Sequence, residues 1–205
     1  MPKRGYHHGN LRQALIDAAL ELIEEKGPTG FTLSEAAKQA GVTPAAVYRH
    51  FQGREDLIAE AARQGYEIFA DLMEYAYEEG QPSALSAFTA TGRAYLAFAR
   101  KYPGHYIAMF ESGISVNRSP ELAAVSARAS AVLEKAASDL SQHIPADKRP
   151  PASMFSAHIW AMSHGVVELF ARNSPGRASP FPADDLLETG IGIYLRGLGL
   201  IAPDS

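Results

Sequence analysis

The 205-residue chain contains no cysteine, which excludes structural disulfides, thiolate zinc sites, iron–sulfur clusters and cysteine nucleophiles together. It has no apolar run approaching the roughly 20 residues that a membrane-spanning helix needs. The opening stretch Met1–Asn10 carries basic residues without the apolar core of a secretory leader. A soluble, cytoplasmic protein that does not contact membrane is expected. Positive charge is also short: 19 Lys and Arg face 23 Asp and Glu, a formal net charge of −4. Averaged over the whole chain, that balance speaks against a nucleic-acid partner. Strand-like alternation is missing over any useful length. So are the usual catalytic signatures, G-x-S-x-G, the P-loop, H-E-x-x-H and G-x-G-x-x-G. No Glu is followed three residues later by His, so a di-iron helical bundle would lack its ligand pairs. The expectation is no enzyme, no cofactor and no metal.

What is present is helical periodicity in a chain that is 46% hydrophobic. Leu11, Ala14, Leu15, Ala18, Ala19, Leu22 and Ile23 recur at three- and four-residue spacing, with Arg12, Glu21, Glu24 and Glu25 on the other side. Asn10 offers this first helix an N-cap and Gly27-Pro28 a stop. Thr32-Leu33-Ser34-Glu35 fits a capping box, which predicts a short second helix from Leu33 to about Ala40. Gly41-Val42-Thr43 then turns the chain, and Thr43 is placed to cap a third helix with Pro44 at its first position. That helix is expected to end near Phe51, before a long fourth from Arg54 to Glu79. Loop signals at Gly80-Gln81-Pro82, Tyr102-Pro103-Gly104, Asn117 to Pro120, His143 to Pro151 and Asn173 to Pro182 divide the remainder. The predicted class is all-α, with about nine helices: a three-helix N-terminal domain, then a larger helical domain.

Charge is unevenly spread. Residues 1–54 hold seven basic and five acidic residues, a balance of +2, and residues 55–205 hold 12 basic and 18 acidic, a balance of −6. The mildly basic head is also where helices two and three form a helix-turn-helix, whose second helix enters the DNA major groove in proteins that read DNA this way. At 100° per residue, Val47 and Phe51 share one side of the third helix. Arg49 and Ala45 lie opposite, flanked by Tyr48 and His50. Lys3, Arg4, Lys38 and Arg54 are placed to neutralise phosphates around it, and the Thr32 hydroxyl beside a helix N-terminus to donate to another. Two alternatives stay open on this pattern: Tyr48 packs in the core, or His50 serves the helix C-terminus. The pair His7-His8 lacks a third ligand and does not make a metal site.

Residues Leu11 to Ile58 resemble the DNA-binding domain of the TetR/AcrR family of transcriptional regulators. The likeness rests on the first helix ending in Glu25-Lys26-Gly27, on Phe31-Thr32-Leu33, on Ala37 through Gly41-Val42-Thr43, and on Val47-Tyr48-Arg49-His50-Phe51 followed by Arg54-Glu55-Asp56-Leu57. Tyr6-His7-His8-Gly9-Asn10-Leu11-Arg12 and Trp160-Ala161-Met162-Ser163-His164-Gly165 are similar to one branch, marked by a Trp-x3-His-Gly pattern in its regulatory domain. The resemblance implies that Thr32, Tyr48, His50 and Arg54 meet phosphates, and that Pro44, Ala45, Ala46 and Tyr48 approach base edges; Thr43 is counted with them. The two adjacent alanines depart from the hydrogen-bonding residues often found there, since a methyl reads only a thymine methyl. Arg49, added from the helical wheel, is then the main direct reader, through guanine O6 and N7, or else a phosphate contact.

In the remaining chain, Tyr95, Phe98, Tyr102, Tyr106, Met109 and Phe110, with Phe155, Trp160, His164 and Phe170, supply aromatic and apolar bulk for a core or a cavity. The resemblance implies an effector pocket, to which Tyr95, Phe98, Tyr102, Tyr106, Met109, Phe110, Trp160, His164 and Glu168 are assigned, for a small apolar effector. His164 and Glu168 stand four apart and are expected to hydrogen-bond each other or the effector. The last helix, from Ala183, carries Leu186, Leu187, Ile191, Tyr194, Leu195 and Leu198 with four glycines that permit close helix approach. By the same resemblance, the last two helices form a twofold interface, to which Phe155, Ile191, Tyr194, Leu195 and Leu198 are assigned. A homodimer on a palindromic double-stranded DNA operator follows. The expected function is a ligand-responsive regulator, a repressor released by its effector. The rivals are an activator, or a helical adaptor that uses the helix-turn-helix for protein contacts.

Overall fold

A computed structural model describes residues 11–171 and 180–201. Among them are nine α-helices and no strand: α1 (Leu11–Lys26), α2 (Leu33–Gln39), α3 (Pro44–Val47), α4 (Arg54–Glu79), α5 (Ala84–Lys101), α6 (Pro103–Phe110), α7 (Pro120–Ser141), α8 (Ala152–Val166) and α9 (Ala183–Gly197). A 3₁₀ turn at Val116–Arg118 precedes α7, and a π-helical turn at Val167–Ala171 follows α8. The breaks between the described helices fall at loop signals in the sequence, except that α3 ends at Val47 rather than near Phe51; both ends of α4 coincide with the expected ones. The first-helix cap at Asn10 and the basic residues Lys3 and Arg4 lie outside the described residues.

The helices form two compact units, one taking the chain through Glu67 with Tyr102–Ser126, the other Ile68–Lys101 with the chain from Ala127 onward. In the first unit, α1 buries Leu15, Ile16, Ala18, Ala19, Leu22 and Ile23, the periodic stripe of the sequence. It packs against α2 and α6, while α2 packs against α3. Glycine is what lets α6 come so near α1. The Gly104 N–H donates to Glu24 Oε1 at 2.9 Å, and a Cβ at that position would lie 2.9 Å from the Leu20 carbonyl oxygen. Tyr106 is fully buried in this unit, its ring 4.9 Å from Phe110, which in turn meets Tyr66 edge-on at 5.9 Å.

The second unit packs α5, α8 and α9 around Phe88, Ala136, Ala137, Leu140, Phe155 and Leu195. The Phe155 ring lies near-parallel between Phe88 at 6.0 Å and Tyr194 at 5.9 Å. A second aromatic group joins α4 to α5, where Phe69 contacts Tyr95 at 5.4 Å and Phe98 at 5.0 Å.

Candidate nucleic-acid interface and effector cavity

The helix-turn-helix is assembled from α2, a turn and the single turn of α3. Its first helix is started by the expected capping box. The Glu35 N–H donates to Thr32 Oγ1 at 3.2 Å, and the Glu35 carboxylate accepts from the Thr32 N–H at 2.8 Å and from its hydroxyl at 2.9 Å. Lys26 Nζ adds a fourth contact at 2.7 Å. The Lys26 hydrogen bond, then those from the Thr32 backbone and hydroxyl, pull the Glu35 carboxyl down to about 2. The Thr32 hydroxyl, expected to donate to a phosphate, therefore gives its proton to Glu35 in this structure. The turn depends on Gly41, whose φ of +72° is the left-handed conformation that glycine adopts without strain. The Val42 N–H donates to the Ala37 carbonyl at 2.9 Å and closes the end of α2.

Thr43 occupies the N-cap position of α3 with Pro44 at the first turn, but its side chain makes no capping hydrogen bond, contrary to the expectation. The Ala46 N–H donates to the Thr43 carbonyl at 2.9 Å instead. The chain then continues in hydrogen-bonded turns, with the His50 and Phe51 N–H groups both donating to the Val47 carbonyl. Val47 and Phe51 are buried, and the Arg12 guanidinium sits 5.2 Å from the Phe51 ring centre. Tyr48 is 64% exposed, which removes the core-packing alternative for it. Pro44, Ala45, Arg49 and His50 are exposed, Ala46 is half-buried, and Lys38 stands exposed near the end of α2.

The start of α4 is tied on both sides. Arg54 Nη1 donates to the carbonyls of Thr29 at 3.0 Å and Phe31 at 3.2 Å, so this expected phosphate ligand also holds the loop that leads into α2. The next two residues pair with Arg118 of the 3₁₀ turn, Glu55 at 3.1 Å and Asp56 at 2.8 Å. The Arg118 hydrogen bond, followed by one from the Gln52 N–H, holds the Asp56 carboxyl below its ordinary range. Sequence reasoning missed Arg118, because its partners lie more than 60 positions away and a lone Arg in a loop carries no periodic signal. Further along, Glu60 pairs with Arg12 at 2.7 Å and Arg63 at 2.9 Å. Burial alone would raise the Glu60 carboxyl, but the two guanidinium groups outweigh it and bring it down to about 2.

The second unit holds a cavity of about 620 Å³, partly open to solvent, between α5, α7, α8 and α9. Of the nine residues assigned to an effector pocket, Tyr95 and Trp160 line it. His164 stands behind them, its Nδ1 2.8 Å from the Tyr95 hydroxyl and its ring stacked on Trp160 at 5.5 Å. Phe98 is core, and Glu168 falls in the π-helical turn; neither lines the cavity. Tyr102, Tyr106, Met109 and Phe110 belong to the first unit and serve its packing. The aromatic count does not locate the cavity, because cavity space comes from missing bulk. Much of the wall is small residues of α7 and α8, including Ser130, Ala137, Ser153, Ser156 and Ala157. Their recurrence at helical spacing is the signal that would have marked it.

Of the residues assigned to the dimer face, Phe155 and Leu195 are buried within the protomer's own core. Ile191, Tyr194 and Leu198 are half-buried against the same cluster, and Tyr194 Oη lies 2.8 Å from His158 Nδ1. On these elements, Met154, Leu169, Phe170 and Ile193 point outward, Ile193 being 61% exposed. Because α9 is apolar on several sides, periodicity alone does not say which side the protomer itself consumes. No helix among the described residues is long and apolar enough to cross a membrane.

Residues 15–61 match the family described as "Bacterial regulatory proteins, tetR family", and residues 88–194 match "Tetracyclin repressor-like, C-terminal domain". An uncharacterized HTH-type transcriptional regulator of Bacillus subtilis, YobS, is 31% identical over 98 residues, 48% of this chain and 50% of that protein. The chain spans half or less of the length of the curated relatives it matches. Among solved structures, a protein of unknown function from Rhodococcus sp. RHA1 superposes with a TM-score of 0.77 at 25% identity, covering 96% of this chain and 99% of that one. AibR, solved in complex with isovaleryl coenzyme A and operator DNA, shares the fold with a TM-score of 0.67 at 18% identity, over 89% of this chain and 97% of that one. Two family matches that together run through head and body, on an all-helical fold with an outward-facing helix-turn-helix, make this chain a helix-turn-helix transcriptional regulator of the TetR family.

Proposed function

We propose that the chain acts in the cytoplasm as a homodimeric repressor, which holds a palindromic operator and leaves it when a small molecule occupies the cavity in the second unit. The observation that carries this reading is the segment Pro44–Phe51, α3 with the turns that follow it. Val47 and Phe51 fasten one side to the core, while Tyr48, Arg49 and His50 stand in solvent with no side-chain hydrogen bond or ion pair among the described residues. Residues 1–54 would form the DNA-binding head and residues 55–205 the effector and dimer body. Thr32, Tyr48, His50 and Arg54, with Lys3 and Arg4, meet phosphates, and Thr43, Pro44, Ala45 and Ala46 approach base edges. Ala45 and Ala46 offer only methyls, so Arg49 supplies the main hydrogen-bonding readout. The outward apolar residues of α8 and α9 supply the twofold contact, with Ile191, Tyr194 and Leu198 at its margin. Release requires the effector to bind the conformation with lower DNA affinity more tightly, as linkage demands.

The test is selection of bound fragments from the source genome, followed by titration of the recovered sites at several salt concentrations. Inverted repeats with half-sites about one helical turn apart are expected, with affinity falling steeply as salt rises. Recovery of no enriched sequence and a flat salt response would favour the adaptor reading instead.

A further inference from the structure

The charge around the cavity restricts what can enter it. Among the described residues that line it there is no Lys, Arg or His, and the single carboxylate is Glu134 of α7. Glu134 is exposed and makes no ion pair among the described residues. Near the lining residues in sequence, Lys135 Nζ pairs with Asp139 at 2.9 Å, Arg93 with Glu188 at 2.7 Å and Arg128 with Asp71 at 2.6 Å, and the His158 and His164 rings lie against the Tyr194 and Tyr95 hydroxyls. The rest of the wall is apolar or hydroxyl-bearing. The rings of Phe88, Tyr95 and Trp160 supply its aromatic part, and the buried Thr91 hydroxyl gives its proton to the Phe88 carbonyl at 2.7 Å.

An anion in this space would lose part of its hydration beside a carboxylate, with no Lys or Arg among the described lining residues to offset the loss, which disfavours its entry. A cation meets the reverse arrangement, a carboxylate and aromatic faces that attract positive charge. The volume lies within the range of small-molecule sites, large enough for an apolar body about the size of a medium alkyl chain or a ring system. Resting on the reading of this cavity as the effector site, we propose that its ligand class is a cationic amphiphile, an apolar body bearing one ammonium group, with Glu134 as the charge-selecting residue. Acyl carboxylates and acyl thioesters of anionic carriers are the class it rejects.

Trp160 is the chain's single tryptophan and stands on the cavity wall, so its fluorescence reports occupancy without a label. The full chain, without DNA, is titrated with decyltrimethylammonium, decanol and decanoate below their micellar concentrations. The cation is expected to bind at least about tenfold more tightly than decanoate, with decanol between them. Glu134→Gln removes the charge at an exposed position and is expected to weaken the cation about fivefold or more while leaving decanol unchanged. Ser156→Phe, which fills the cavity, is expected to abolish all three responses. Decanoate binding as tightly as the cation, cation binding indifferent to Glu134→Gln, or a response that survives Ser156→Phe would each overturn the proposal. DNA release is read separately. Cation binding that fails to release operator would defeat the repressor mechanism and leave the ligand class standing, whereas release by decanoate alone would do the opposite.

Discussion

The closeness of α6 to α1 makes Gly104→Ala a severe test of the packing described above. A methyl there would lie 2.9 Å from both the Leu20 carbonyl oxygen and Glu24 Oε1, and 3.2 Å from Leu20 Cβ, where ordinary contacts run at 3.4–4 Å. The Leu20 oxygen belongs to a helical backbone and cannot step aside. Glu24 can swing away, but only by giving up its hydrogen bond from the Gly104 N–H. Overpacking of this kind costs about 1–3 kcal/mol, and losing a hydrogen bond to a charged group adds about 1.5–3 kcal/mol. Exchanging glycine for alanine in a helix returns at most about 1 kcal/mol. The net expectation is a loss of about 1.5–5 kcal/mol, which in urea, at about 2 kcal/mol/M, moves the midpoint down by roughly 1–2.5 M. The control is Gly92→Ala in the middle of α5, where an added Cβ meets nothing within 4 Å. That variant should gain about 0.5–1 kcal/mol. Both are measured by urea unfolding at one fixed protomer concentration, because association would make the midpoint concentration-dependent. If Gly104→Ala unfolds at or above the wild-type midpoint, the argument that glycine sets the α1–α6 distance is wrong.

Three further outcomes are expected. Arg49→Ala should reduce operator affinity by the equivalent of about 1–3 kcal/mol while sparing random DNA; equal losses in a binding titration on both DNAs would make Arg49 a phosphate contact. The His105 ring has its Nε2 buried without a hydrogen-bond partner among the described residues, and burial lowers its pKa below the usual 6.5, opposed in part by Asp17. The unfolded chain therefore takes up this proton more readily, so the contribution to stability is complete above about pH 6.5 and is lost as pH falls through that value towards the folded pKa. Unfolding free energies of His105→Leu measured from pH 5 to 8 should show a flatter profile, and an unchanged slope would assign the acid sensitivity elsewhere. Finally, Phe155→Ala should cost about 3–5 kcal/mol of protomer stability. A variant that unfolds like wild type but sediments as a monomer would return Phe155 to the dimer interface.

Local chemistry was the part of this protein most open to reading from sequence. The Thr32–Glu35 capping box, both ends of α4 and the inward pair Val47 and Phe51 each depend on residues within one or two helical turns, and the structure reproduces them. The hydroxyl of Thr43 shows where local rules stop. Its position was right, yet the one-turn α3 satisfied the Ala46 N–H through backbone. Side chains that meet across long separations were not legible, among them Arg54 with Thr29 and Phe31, and Arg118 with Glu55 and Asp56. Bulk is ambiguous in two directions: Tyr106 and Phe110, expected at a pocket, pack in a core, and Phe155 and Leu195, expected at a partner, are buried in the protomer's own core. Hydrophobic periodicity records that a side chain is buried; it does not name the surface that buries it.

The paired ties at the start of α4 have a mechanical meaning. Arg54, Glu55 and Asp56 are consecutive, and their side chains reach in two directions, to the loop at Thr29 and Phe31 and to Arg118. One helical turn thus serves as a pulley block over which two cords run. The 3₁₀ turn at Val116–Arg118 and the loop that leads into α2 are thereby fastened to the same helical turn, by the side chains of three consecutive residues.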